Sequence, residues 1–144
     1  MPSEQSRELC RRYFEDVLTK GDLAQIDALM APDVAFYIPT IPGGVHGRDG
    51  VRQFVRTLRA AFPDGAFVPE PGAVIAEGDK AAARWKFRGT HRGEFLGIPP
   101  TGKAVTDEGI DVFHIAGGQI ARIYAVEDAF GLLKQLGALP AAAP

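Results

Sequence analysis

The stretch "EGIDVFHI", residues 108–115, sets an acid among residues that favour burial: Ile110, Val112, Phe113 and Ile115 surround Asp111. An unpaired buried charge is costly, so such a carboxylate is neutralised, paired or used. Burial also lifts a carboxyl pKa toward neutrality, where a general base is most effective. Asp111 is therefore the leading candidate for a proton-abstracting base. The structural alternative is an acid held by an arginine or hydrogen-bonded to a tyrosine. His91, in "RGTHRGEF", is the second acid/base candidate, because imidazole titrates near neutrality and can protonate or polarise a carbonyl. Its structural alternative is a histidine capping a turn.

Other chemistries lack their residues. The only serines are Ser3 and Ser6, at the start of the chain, and there is no asparagine. The single cysteine, Cys10, falls on an apolar helical stripe and has no partner for an internal disulfide. A serine or cysteine nucleophile is not expected. His46, His91 and His114 show no metal-ligand spacing, and "GGVHGRDG" lacks the Lys-Ser/Thr ending of a phosphate loop. The expectation is a protein without metal or cofactor. A net charge of −2 with scattered Lys and Arg offers no footprint for nucleic acid or an anionic membrane. The N-terminus lacks a signal-peptide core, and no run approaches the roughly 20 apolar residues of a spanning helix, so a cytoplasmic location is expected.

These residues must be positioned by elements that the apolar spacing outlines. Leu9, Cys10, Tyr13, Phe14, Val17 and Leu18 give one buried helical face between Ser6 and Thr19. Asp22 is placed to cap a short second helix carrying Ile26 and Leu29. "APDVAFYIP" reads as a strand ended by proline, "TIPGGVHGRDG" as a loop, and Asp49 to Phe62 as a third helix stopped by Pro63. The period then changes to two. A strand broken by prolines, a turn at Gly78 and Asp79, and a strand with Ala81, Ala83, Trp85, Phe87 and His91 on one face follow in order. After the loop "RGEFLGIPPTGK" comes the strand bearing Asp111, with Phe113 on its face and His114 on the other. Gly117 and Gly118 turn it into "QIARIYAV". A last helix, for which Asp128 is the natural N-cap, covers Ala129 to Leu136, and residues 138–144 are expected to be a disordered tail. Helices first and hairpin-connected strands after imply one α+β domain, residues 1–137.

"RGTHRGEFLGIPPTGK", "GIDVFHIAGGQI" and "VEDAFGLLKQLG", with "YFEDVLTKGDLAQIDALMAPDV" before them, resemble the SnoaL-like polyketide cyclases of the nuclear-transport-factor-two-like superfamily. The resemblance runs from about Arg11 to Gly137. It implies a cone-shaped α+β barrel, a curved and mostly antiparallel sheet with helices packed over its concave face, enclosing a small-molecule cavity. It also implies a cofactor-free intramolecular aldol condensation, in which an acid removes a proton between two carbonyls and the enolate closes a ring. In that family the acid lies on the last strand; aligned on "GQI" and "KQLG", its position here is Ala125, while the family's pocket histidine falls on Asp111.

Asp111 and His91 are accordingly the expected catalytic pair. Tyr37, His46, Trp85, Phe113, Tyr124 and Asp128 are the expected substrate contacts, each with core packing or capping as its alternative. The expected partner is an apolar or aromatic carbonyl compound, and the resemblance implies a homodimer or higher oligomer meeting through the outer sheet face. Isomerisation or epoxide hydrolysis on the same scaffold, and ligand binding without chemistry, are the competing readings. The lack of asparagine counts against a copy of the epoxide-hydrolase site; Ala125 counts toward pure binding.

Overall fold

The computed structural model describes residues 3–139. Helix α1 (Ser3–Arg12) runs without interruption into a π-helical segment, Tyr13–Thr19. The expected stripe is buried, but it is not uniformly α-helical. From Tyr13 the turn widens, and the adjacent Tyr13 and Phe14 rings both face the sheet, packed edge-on at 5.2 Å. Such π segments often accompany functional sites. Helix α2 (Gln25–Leu29) begins at Ala24 with no side-chain cap. Asp22, the expected cap, instead accepts the Gln25 N–H through its backbone carbonyl.

Strand β1 (Met30–Ile38) ends where Pro39 begins, as expected. The segment read as a loop forms a further strand, β2 (Ile41–His46), antiparallel to β1. Its glycines conceal it in the sequence, yet Gly44 is needed. At φ 80°, a Cβ there would stand 2.7 Å from the Tyr37 ring and 2.9 Å from the Phe36 carbonyl. Helix α3 (Gly47–Ala61) buries Val51, Val55 and Ala61. Strand β3 (Ala66–Glu77) slips register between Pro69 and Val74, since prolines cannot donate to a ladder. Strands β4 (Lys80–Thr90), β5 (Ala104–Ala116) and β6 (Gln119–Glu127) follow in antiparallel hairpins, and α4 (Ala129–Gln135) closes the fold.

The order across the six-stranded sheet is β2-β1-β6-β5-β4-β3, antiparallel except for the parallel β1–β6 pair. The sheet curves under the helices but does not close: β2 and β3 are free edges, so the expected barrel is an open cone. Prolines and glycines are tolerated in both because an edge needs fewer ladder bonds. The interior strand β5 is buried on alternate residues, Val105, Asp107, Asp111, Phe113 and Ile115, and that parity aims Asp111 inward. The Ala138 N–H bonds the Leu133 carbonyl at 3.0 Å, so the structured chain passes Gly137; residues 140–144 of the expected tail lie outside the described residues. No described helix is long and apolar enough to cross a membrane.

Candidate functional site

Between the concave sheet face and the helices lies a cavity of about 80 Å³, walled largely by Phe14, Leu18, Phe36, Phe54, Leu58 and Phe67. Its polar groups are few: Tyr13, Thr40, Trp85, Asp111 and Glu127. An apolar cavity with a handful of convergent polar groups is the usual form of a small-molecule site. At the rim, the Phe95 and Ile98 backbones exchange hydrogen bonds of 3.1 and 2.8 Å around Leu96 and Gly97, with φ of 51° and 77°. Two successive positive φ values make a tight reversed turn. Leucine pays strain there that glycine or asparagine would not, and the turn holds Phe95 and Leu96 against the opening.

Asp111 is 3% exposed. Its Oδ1 accepts a hydrogen bond from Trp85 Nε1 at 2.9 Å, and no described residue partners the other oxygen. Burial pushes its pKa up to about 7; the Trp85 N–H pulls the other way, and the negative charge of Glu127 adds to the rise. Desolvation outweighs the hydrogen bond, leaving a carboxyl group that exchanges protons near neutrality. No arginine neutralises it, so the structural alternative of an ion pair does not hold among the described residues.

The indole reaches Asp111 because of a glycine. Trp85 pairs across the ladder with Gly109, two residues before Asp111. A Cβ on Gly109 would stand 2.4 Å from Trp85 Cζ2 and 2.4 Å from the Val126 carbonyl, so only glycine lets the ring lie there. On the other flank Asp111 pairs directly with Ala125, and both line the cavity.

Sequence reasoning missed Tyr13, which reads as core on an apolar stripe. The residue is 2% exposed and lines the cavity, and its hydroxyl has no hydrogen-bond partner among the described residues. Burial first, then the charges of Asp111 and Cys10, hold its pKa well above the usual value, so it stays a donor. Cys10, raised to about 12 chiefly by burial, stays a neutral thiol. Glu127 was also missed as a cavity residue. It lines the wall two residues beyond Ala125, and its Oε1 accepts from Thr40 Oγ1 at 3.2 Å.

Of the expected site residues, Asp111 and Trp85 meet in the cavity; the others do not. His91 is fully buried, but β4 ends at Thr90 and its ring turns into the base of the following loop. There Nδ1 lies 3.0 Å from Thr101 Oγ1 and accepts the Thr101 N–H at 3.2 Å, and the ring packs on Phe62. It closes the loop, and Nε2 has no partner among the described residues. Phe113 lies beneath the cavity, edge-on to Tyr13 and Phe14 at 5.6 and 5.9 Å. Tyr37 and Tyr124 stack at 5.4 Å on the outer sheet face, because strand parity sends Phe36, Ile38 and Ala125 inward instead. His46 is exposed beside Tyr37, with Nε2 2.7 Å from the Gly43 carbonyl. Asp128 caps α4, its Oδ1 accepting from the Gly131 N–H at 2.9 Å. His114 faces away from Asp111, as expected, and packs against Tyr124.

The family model of SnoaL-like polyketide cyclases matches residues 8–136. Among solved structures, TsrD from Streptomyces laurentii is 29% identical, with a TM-score of 0.85 over 96% of this chain and 99% of that one. A SnoaL-like protein from Jannaschia Sp. CCS1 is 25% identical, with a TM-score of 0.86 over 96% and 95% of the two chains. IdmH from Streptomyces antibioticus is 28% identical, with a TM-score of 0.77 over 91% and 97%. No curated protein matches the sequence.

Proposed function

Because the chain belongs to the SnoaL-like polyketide cyclase family, we propose that it is a cofactor-free enzyme that closes a ring in a polyketide-like carbonyl substrate, with Asp111 as base. In this reading the Asp111 carboxylate takes a proton from a carbon between two carbonyls. The enolate carbon then attacks a ketone of the same molecule. The observation that carries the reading is the buried carboxyl group of Asp111 on the cavity floor, with no cation beside it and no partner for one oxygen among the described residues. Trp85 holds it in place, and burial tunes it to about 7, near the working range of a general base.

The Tyr13 hydroxyl supplies a donor for the enolate oxygen, a role worth on the order of 10²–10³-fold in rate. A cavity of about 80 Å³ is smaller than the roughly 300 Å³ at the low end of drug-sized sites. A polyketide chain therefore seats only as Phe54, Leu58, Phe95 and Leu96 move outward. That small volume favours a second reading on the same groups: isomerisation of a compact enone, in which Asp111 returns the proton to another carbon. A copy of the epoxide-hydrolase site is disfavoured by the lack of asparagine. We further propose self-association through the outer sheet face, where Ile110, Val112, Tyr124 and Val126 are exposed side by side; Val126→Asp then lowers the mass measured by sedimentation.

The test is Asp111→Asn. Turnover of an aryl-substituted β-diketone carrying a third ketone within reach of six-membered ring closure falls by about 10²–10⁴-fold. Full turnover in the variant removes Asp111 from the mechanism. Product analysis on that triketone and on a simple enone separates cyclisation from isomerisation.

A further inference from the structure

Ring closure by the proposed route leaves an alkoxide on the attacked ketone, and Asp111 cannot act as its base and its acid in the same instant. A second proton source is needed, and the inward face of β5 and β6 carries a candidate beyond Asp111. Gly109 pairs with Glu127 across the ladder, while Asp111 pairs with Ala125. Glu127 is thus diagonal to Asp111 on one side and to Asp107 on the other, a spacing of about 7–8 Å in each direction. Gly109, directly opposite, has no side chain of its own, and the Trp85 indole lies against it.

Asp107 is 8% exposed, and the register sets its carboxyl group diagonally beside that of Glu127 on the inward face. Two carboxyl groups so placed hold one proton between them, because both cannot ionise together. Glu127 is the member that lines the cavity, steadied by Thr40. Asp107 lies behind it. The same cavity is lined by Tyr13, whose hydroxyl has no hydrogen-bond partner among the described residues.

We propose that Asp107 and Glu127 form the proton-donating partner of Asp111, with Glu127 passing the shared proton to the alkoxide formed at ring closure. This rests on the reading of Asp111 as base. The steps balance. Asp111 takes the C–H proton, and the enolate forms a C–C bond while the ketone π pair moves to oxygen. The proton that Asp107 and Glu127 share then passes by way of Glu127 to that oxygen, leaving both as carboxylates. After product leaves, Asp111 loses its proton to solvent and the pair regains one. Burial first, and then the neighbouring Glu127, hold the Asp107 carboxyl well above the ordinary carboxylate range. The groups facing the pair are Asp111 across the cavity, Thr40 on the β1–β2 turn and Asp128 at the start of α4. Lys86, Arg88 and Glu108 share with Asp107 the groove on the far side.

The experiment separates proton removal from ring closure. On the same triketone, NMR in deuterated water follows loss of the acidic C–H, and chromatography follows the cyclised product. Melting curves establish that each variant is folded. Glu127→Gln lowers the ratio of cyclisation to exchange by about 10²-fold. Asp107→Asn lowers the same ratio and moves the alkaline limb of the cyclisation profile. Asp111→Asn, by contrast, abolishes exchange itself. An unchanged ratio in Glu127→Gln overturns the inference while leaving the base intact. An effect in Glu127→Gln with none in Asp107→Asn overturns the sharing of the proton. Undiminished exchange in Asp111→Asn overturns the base instead.

Discussion

Replacing Asp111 with asparagine tests the energetics of the site independently of any substrate. The folded carboxyl titrates at about 7 against an ordinary 3.8, so between those values the native state binds a proton that the unfolded chain has lost. Stability therefore falls as pH rises through this window, and the full penalty is present above about 7. Each tenfold change in proton affinity is worth about 1.4 kcal/mol, giving a total of about 4 kcal/mol, of which about 2–3 kcal/mol develops between pH ~5 and pH ~8. Asparagine keeps an acceptor for the Trp85 N–H but cannot ionise. Urea denaturation of both proteins across that range reads the difference directly, because the other groups titrate in both chains and largely cancel. The wild type loses about 2–3 kcal/mol relative to the variant on going from the acidic to the alkaline end. Parallel stability curves would refute the claim that burial governs this carboxyl group, and the claim that it is a base near neutrality would go with it.

Trp85 is the sole tryptophan, so its emission reports on the cavity. It shifts with a midpoint near 7, and the transition is absent in Asp111→Asn, as a fluorescence pH titration will establish. Trp85→Phe removes the one donor that favours the anion, so the acid limb of the rate profile moves to higher pH; movement toward acid contradicts the sign. Gly109→Ala forces a methyl group to within 2.4 Å of the indole and of the Val126 carbonyl. It costs about 1–3 kcal/mol by thermal melting and displaces the tryptophan emission. Tyr13→Phe removes a hydroxyl that no described residue bonds; stability stays within about 0.5 kcal/mol, while turnover falls by about 10²-fold.

The parts of this molecule that were legible in the sequence are those where one periodicity dominates. The alternation in β4 and β5 fixed which face Trp85 and Asp111 share, and Gly117 and Gly118 marked the turn from β5 into β6. Parity also held the answer for Tyr124, since an inward Ala125 requires an outward neighbour, but aromatic residues near a pocket are easily read as its walls. Tyr13 gave no separate signal, because a tyrosine on a helical apolar stripe looks the same whether its hydroxyl meets a partner or a void. His91 lay one residue past the end of its strand, where parity stops predicting direction. Asp107 and Glu127 looked like ordinary acids in the flanks of strands. Only their diagonal placement around Gly109 brings them together, and diagonal contacts across a ladder depend on a register that no single strand encodes.

The position of the proposed base follows from the same ladder. Asp111 and Ala125 are directly paired, and the Cβ atoms of such a pair stand only about 4.5–5.5 Å apart. An acid on either strand would therefore put its carboxyl group into the same cavity, so alanine on the last strand does not by itself remove the chemistry. Its surroundings differ, however. On β5 the carboxyl group sits within reach of the β4 indole, which Gly109 allows to lie flat, and is diagonal to Glu127. One neighbour favours the anion and the other disfavours it, and burial tips the sum upward. Moving the acid across one rung thus keeps its reach into the cavity while giving it a hydrogen-bond donor on one flank and a second carboxyl group on the other.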